Sequence, residues 1–164
     1  MRRILFLALL AAGCKTVSVP VGLGGVVVPP GTVIVSGEGA ETPRAALDRF
    51  LAAANSQDTR GLMDVFGDEE LTVRERDKPA DAERRAGMLI CFVRNSKAQI
   101  TGPVTGEGGR QLFQVKLTQG DNEATTPFTV ARNKKNQRWY VMAFDNIVLQ
   151  NKGFCSKKSQ TGRP

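Results

Sequence analysis

The middle of this chain predicts an α+β domain in which two to three amino-terminal helices pack on a mainly antiparallel sheet. Three observations carry that expectation. Apolar residues recur at helical spacing after Thr42 and again after Pro79; they alternate with polar ones from Asn95 onward; and turn-forming clusters separate the alternating runs.

The elements before the domain come first. Residues 1–13 have the order of an export signal. Arg2 and Arg3 precede an uncharged run of about 11 residues, too short for the about 20 that a membrane helix needs. The run ends in Ala11-Ala12-Gly13-Cys14, which resembles the lipobox of bacterial lipoproteins, with Leu10 one place further out than the leucine usual in that family. The resemblance implies cleavage before Cys14, a diacylglycerol thioether on its sulfur and a further acyl chain. Two or more chains suffice for stable anchoring at about 0.8 kcal/mol per buried methylene. Lys15, standing where aspartate commonly signals inner-membrane retention, implies the outer membrane, facing the periplasm. An ordinary signal cut near Ala12 is the alternative.

Residues 14–41 are rich in Val, Gly and Pro. Val26 to Val28 and Val33 to Val35 flank Pro29-Pro30-Gly31-Thr32, which suits either a short hairpin or an extended strap lying on the domain. The domain itself spans 42–152. Thr42 caps and Pro43 opens a helix whose Ala46, Leu47, Phe50, Leu51 and Ala54 share an arc of roughly 140°. Asp58 starts a second helix carrying Leu62, Met63, Val65 and Phe66 and stopped at Gly67. Leu71-Thr72-Val73 suits a brief strand. A third helix runs from about Pro79 to Arg94, and its half Met88 to Val93 is apolar on all sides, which predicts deep burial.

Strands follow. Ala98, Ile100 and Val104 share one side of the first, and Phe113, Val115 and Leu117 one side of the second. After a turn at Gly120-Asp121-Asn122 come Thr126, Phe128 and Val130, with Pro127 hinting at an edge or bulge. Asn133-Lys134-Lys135-Asn136 turns the chain into a strand from Trp139 to Phe144, which Ile147-Val148-Leu149 continues. That strand is apolar on both faces, so the second face needs a cover: the strap, the carboxyl tail or another subunit. Residues 153–164 read as a basic tail.

This order of helices then strands, with Pro43-Arg44-Ala45-Ala46-Leu47-Asp48-Arg49-Phe50-Leu51 and the late strand Arg138-Trp139-Tyr140-Val141-Met142, resembles the nuclear transport factor two-like superfamily. The resemblance covers Thr42 to Leu149 and implies a curved, cone-like sheet wrapped around helices. That superfamily holds isomerases and dehydratases beside many non-enzymatic pocket and dimerisation domains, so fold leaves function open. Its histidine–aspartate pair is impossible here, because the chain has no histidine.

Composition narrows the chemistry further. Without histidine, the commonest acid–base catalyst and metal ligand are both missing. The net charge of +7, lowered by two when Arg2 and Arg3 leave with the signal, favours anionic surfaces. Lys134, Lys135 and Arg138, with Lys152, Lys157 and Lys158, form either a basic patch for anionic lipid or polymer or a soluble face. Cys91 and Cys155 remain as a pair for an oxidising compartment. A bridge closes a loop of about 65 residues, worth roughly 4 kcal/mol by chain entropy, and two separate thiols are the alternative. Gly22-Leu23-Gly24-Gly25 and Gly106-Glu107-Gly108-Gly109 lack the lysine and helix of a phosphate loop, and Asp68-Glu69-Glu70 lacks the spacing of a calcium loop.

Phe113, Phe128, Trp139 and Tyr140 serve the core or line a pocket or interface. The expected function is a lipid-anchored, non-enzymatic envelope module that binds a small apolar ligand or a partner protein, or forms a homodimer, with no catalytic residue, metal, cofactor or nucleic acid. The alternatives are an isomerase- or hydrolase-like enzyme, using a carboxylate such as Asp145 with Tyr140 as donor, and a structural factor in envelope assembly.

Overall fold

The computed structural model describes residues 38–156. Cys14, the signal, most of the Val/Gly/Pro segment, and Lys157 and Lys158 lie outside the described residues. Within them, helices precede a four-stranded antiparallel sheet in the order β1-β2-β3-β4, an α+β fold. The strands are β1 Lys97–Thr105, β2 Gln111–Gln119, β3 Asn122–Arg132 and β4 Trp139–Phe144.

Helix α1, Pro43–Asn55, begins as its sequence dictates. Thr42 accepts a hydrogen bond from the Ala45 N–H at 3.1 Å, and Pro43 occupies the first turn, where its missing donor costs nothing. Its apolar stripe, Ala46, Leu47, Phe50, Leu51, Ala53 and Ala54, is buried against the sheet and the other helices. Phe50 is fully buried and sits 5.8 Å from Phe66, 6.2 Å from Phe128 and 6.3 Å from Phe144 between ring centroids. Phe128 and Phe144 stack at 5.1 Å across β3 and β4.

Helix α2, Thr59–Met63, is shorter than the apolar run suggests. Asp58 caps it through the Gly61 N–H at 2.9 Å, but Val65 and Phe66 leave the helix. They run beside β4 instead, where the Val141 N–H donates to the Val65 carbonyl at 2.9 Å and the Gly67 N–H donates to the Val141 carbonyl at 3.1 Å. The unpaired edge of β4 outcompetes another turn of helix, since a buried backbone group needs a partner. The expected strand at Leu71 to Val73 is a single bridge from Thr72 to Gly67, after which the one-turn helix α3, Val73–Arg76, starts. A reciprocal cap decides this: Thr72 accepts from the Glu75 N–H, and Glu75 accepts from the Thr72 N–H.

Helix α4, Pro79–Val93, falls where expected, but its second half is not deeply buried. Ala82, Ala86, Ile90 and Val93 face inward, Leu89, Cys91 and Phe92 are half-buried, and Met88 is 55% exposed. One stripe of the helix meets α1 and α2, so an apolar sequence all round leaves side chains outside.

In β1 the register shifts between Thr101 and Val104 around Pro103. Ala98 and Ile100 keep the expected shared side, opposite Leu117 and Val115, but past the shift Val104 lies opposite Leu112 on the other face and is 68% exposed. Pro127 sits in β3, an interior strand, paired with Gln114 of β2. Pairing with β4 starts only at Phe128, so β3 is an edge on that side where the proline lies, and no ladder bond is lost. Ile147 to Leu149 do not continue β4. Asp145 accepts the N–H groups of Ile147 at 3.0 Å and Val148 at 3.1 Å and turns the chain into α5, Asn146–Asn151.

The second face of β4 is covered at Tyr140, which is fully buried. Gly39 lies so close that an added Cβ would stand 2.7 Å from the Tyr140 ring, and Ala40 exchanges backbone hydrogen bonds with Trp139 at 2.8 and 2.9 Å. The folded unit also runs past 152: Phe154 is buried and its N–H donates to the Leu149 carbonyl at 3.0 Å.

Replacing Phe50 with alanine removes the ring that joins helices to sheet and lowers unfolding free energy by about 3–5 kcal/mol. Urea titration followed by tryptophan emission from Trp139 measures it. A loss under about 1 kcal/mol would show that the layers are held elsewhere.

Candidate functional site

The four aromatic candidates do not share one opening. Phe113, Phe128 and Tyr140 are fully buried, and Trp139 is half-buried at the start of β4. Phe113 and Phe128 pair across β2 and β3 on the face turned to the helices. Tyr140 lies on the opposite face of β4, and its hydroxyl accepts a hydrogen bond from the Asn136 amide at 2.7 Å. Burial pushes the Tyr140 phenol above its ordinary range, and the Asn136 bond only partly offsets it. No hydrogen bond joins Tyr140 to Asp145, whose carboxylate caps α5 at the exposed end of β4. The donor and carboxylate of the enzyme alternative are therefore not assembled.

The basic candidates are distributed among carboxylates. Lys134 pairs with Glu70, Lys135 with Glu75 at 3.4 Å, and Arg138 with Glu41 at 3.4 Å. Sequence spacing places the cations together in the β3–β4 turn, but it conceals acids from the α2–α3 segment, about sixty residues earlier, and Glu41 from further back. Asn133 fixes that turn from inside. It is buried, its side-chain oxygen accepts from the Lys135 N–H at 2.9 Å and the Asn136 N–H at 3.3 Å, and its amide donates to the Asp68 carbonyl at 3.3 Å.

Beside this turn lies a half-open cleft of about 210 Å³ between the β1–β2 loop and the end of β3. Glu69, Arg110, Arg132, Lys134 and Gln137 line it, with Gly108 and Gly109 on the loop. Both glycines have left-handed backbone angles, φ 68° and 77°, which favour glycine. Arg110 pairs with Glu69 at 2.6 Å, and that bond holds the guanidinium proton more firmly than usual. Arg132 donates from Nε to the Gln137 carbonyl at 3.1 Å. Neither Arg110 nor Arg132 stands out in the sequence, because only the β-meander brings the loop and the strand end together.

Cys91 of α4 and Cys155 form a disulfide with a Cα–Cα distance of 5.0 Å. Gln119, buried at the end of β2, holds the same junction. Its amide donates to the carbonyls of Cys91 at 3.1 Å and Arg94 at 2.7 Å, and its oxygen accepts from the Cys155 N–H at 3.1 Å. Among the described residues, no group of three or more acids or cysteines is placed to hold a metal ion. No family model matches the chain, and no curated protein is significantly similar to it.

Acid weakens a second cluster. Desolvation raises the Asp77 carboxyl, but hydrogen bonds and charge from Arg85 and Arg76 outweigh it and hold the group below its ordinary range. The pairs lie at 2.7 Å to Arg85 and 3.2 Å to Arg76. A carboxyl depressed in the folded state stabilises above its unfolded pKa, and that contribution is lost as pH falls through the folded value. Asp77→Asn is expected to flatten the drop in melting temperature below about pH 4. An unchanged acid limb in scanning calorimetry would show that the pairs contribute nothing.

Reduction of Cys91–Cys155 frees a segment 64 residues away in sequence. The Cys91→Ser, Cys155→Ser double variant is expected to lose about 2–4 kcal/mol, with Phe154 amide exchange accelerating before that of β2. Hydrogen exchange by mass spectrometry checks the order, and uniform acceleration would contradict a local role for the bridge.

Proposed function

We propose that this chain is an envelope lipoprotein, anchored through acylated Cys14 and acting as a non-enzymatic module for a small apolar ligand or a partner protein. The observation that carries the reading is the Cys91–Cys155 disulfide. Such bridges persist in oxidising compartments, and an export signal ending at Cys14 directs a chain to one. The outer membrane, facing the periplasm, is the address that Lys15 favours.

The fold we propose for the module is the cone of the nuclear transport factor two-like superfamily, supported by capped helices followed by an antiparallel meander. Contact is proposed through apolar side chains left outside the core. Met88 and Ile147, 55% and 63% exposed, stand on the packed helices α4 and α5. Single exposed apolar residues are ordinary, so Met88 and Ile147, on helices that touch, are the side chains we propose for contact with a partner or a second copy. Lys134, Lys135 and Arg138 contribute less to this reading, since each already meets a carboxylate. No helix among the described residues is long and apolar enough to cross a membrane.

Fractionating cells that express the native chain beside Cys14→Ser tests the anchor. The native chain is expected in the membrane pellet and the variant in the soluble fraction. Native mass spectrometry of the detergent-extracted chain then reads a bound ligand, a dimer or a partner. Equal partition of both forms into the soluble fraction overturns the lipid anchor, and a bare monomer overturns the binding module.

A further inference from the structure

We propose that the cleft between the β1–β2 loop and the β3–β4 turn binds a phosphate-type oxyanion through the guanidinium of Arg132. The inference needs only the cleft and holds whether or not Cys14 is acylated.

Charge comes first. Arg110, Arg132 and Lys134 line the cleft, and two of these cations are already matched, Arg110 by Glu69 and Lys134 by Glu70. Glu69 is engaged by Arg110 at 2.6 Å, and the Lys134 N–H also holds the Glu69 carbonyl at 2.8 Å, so the acid is fixed in place as part of the wall. Arg132 differs from its neighbours. Only its Nε is used, on the Gln137 carbonyl, and no carboxylate within the described residues pairs with it. The two terminal nitrogens remain available as a planar fork, a geometry that matches two oxygens of one phosphoryl group.

Shape selects the ligand class. At about 210 Å³ the cleft is below the about 300–1,000 Å³ that encloses a drug-sized molecule, so a phosphoryl group on a small polar body suits it better than a nucleotide. Gly108 and Gly109 leave the loop side open, since an added Cβ at either would meet nothing within 4 Å. Arg110 and Lys134, held by Glu69 and Glu70, form the walls, and the oxyanion is bound by the Arg132 fork. The chemistry is shared by a soluble phosphate monoester and by a lipid headgroup, and the experiment separates them.

The purified full-length chain, labelled with nitrogen-15, is titrated with inorganic phosphate, with glycerol phosphate and with phosphatidylglycerol vesicles. The expected result is saturable shifts confined to residues 106–111 and 132–138, with an affinity on the order of millimolar for the soluble ligands. Arg132→Gln weakens binding about tenfold or more, Arg132→Lys recovers part of it, and Lys116→Gln, whose ammonium pairs with Glu123 at 2.7 Å elsewhere on the sheet, leaves it unchanged. Arg132-dependent binding to vesicles alone assigns the oxyanion to a lipid headgroup, and Arg132-dependent binding to soluble phosphates alone assigns it to a free metabolite. Shifts that never saturate, spread over all surface cations, or persist in Arg132→Gln overturn the site.

Discussion

The contact on which the rest of the structure depends is Phe50 seated among Phe66, Phe128 and Phe144. Each ring arrives from a different stretch of chain: α1, the segment after α2, β3 and β4. Aromatic side chains bury large area and prefer offset or edge contacts, so this cluster fixes both the distance and the tilt of the helix layer on the sheet. With α1 seated, α2 and α4 have a surface to pack against. Val65 to Gly67 are then delivered to the edge of β4, where their backbone groups complete the pairing.

The sheet's two edges are treated differently. Beside β4, the edge is occupied by Ala40 at one end and by Val65 to Gly67 further along. At β1 the outer edge has no partner strand among the described residues, and a register shift around Pro103 together with Lys97 at its start interrupts a flat template for pairing. Closure at the far end of β2 comes from Gln119 and the disulfide together. One buried amide satisfies three backbone groups while the covalent bridge limits how far the last segment can move. The bare sequence leaves the two cysteines either bridged or separate, and only the fold puts α4 and the carboxyl segment on the same side of Gln119.

Electrostatics shows the same division. The lysines of the β3–β4 turn form one cluster in sequence, and their net effect is set by acids on distant segments that meet them. Arg132, which looks like an ordinary strand residue, is left without a carboxylate because Glu69, the acid that shares its cleft, is taken by Arg110. Candidate aromatics follow a related rule. Phe113, Phe128 and Tyr140 are legible as large apolar positions on alternating strands, but whether such a side chain fills a core or lines a mouth depends on what covers it.

By itself, the sequence determined the α+β order, the cap at Thr42, the ends of α4, the meander and its turns, because these follow from local spacing and from backbone preferences within a few residues. It also determined the chemistry excluded by the absence of histidine. Tertiary structure alone decided that Val65 and Phe66 leave their helix, that half of α4 faces outward and that Phe154 belongs to the core, whereas Ile147 to Leu149 turn into a helix on the local cap from Asp145. For Val65, Phe66 and Phe154 a local preference of a few tenths of a kcal/mol per residue met a buried backbone group or apolar surface worth several times more, and burial prevailed.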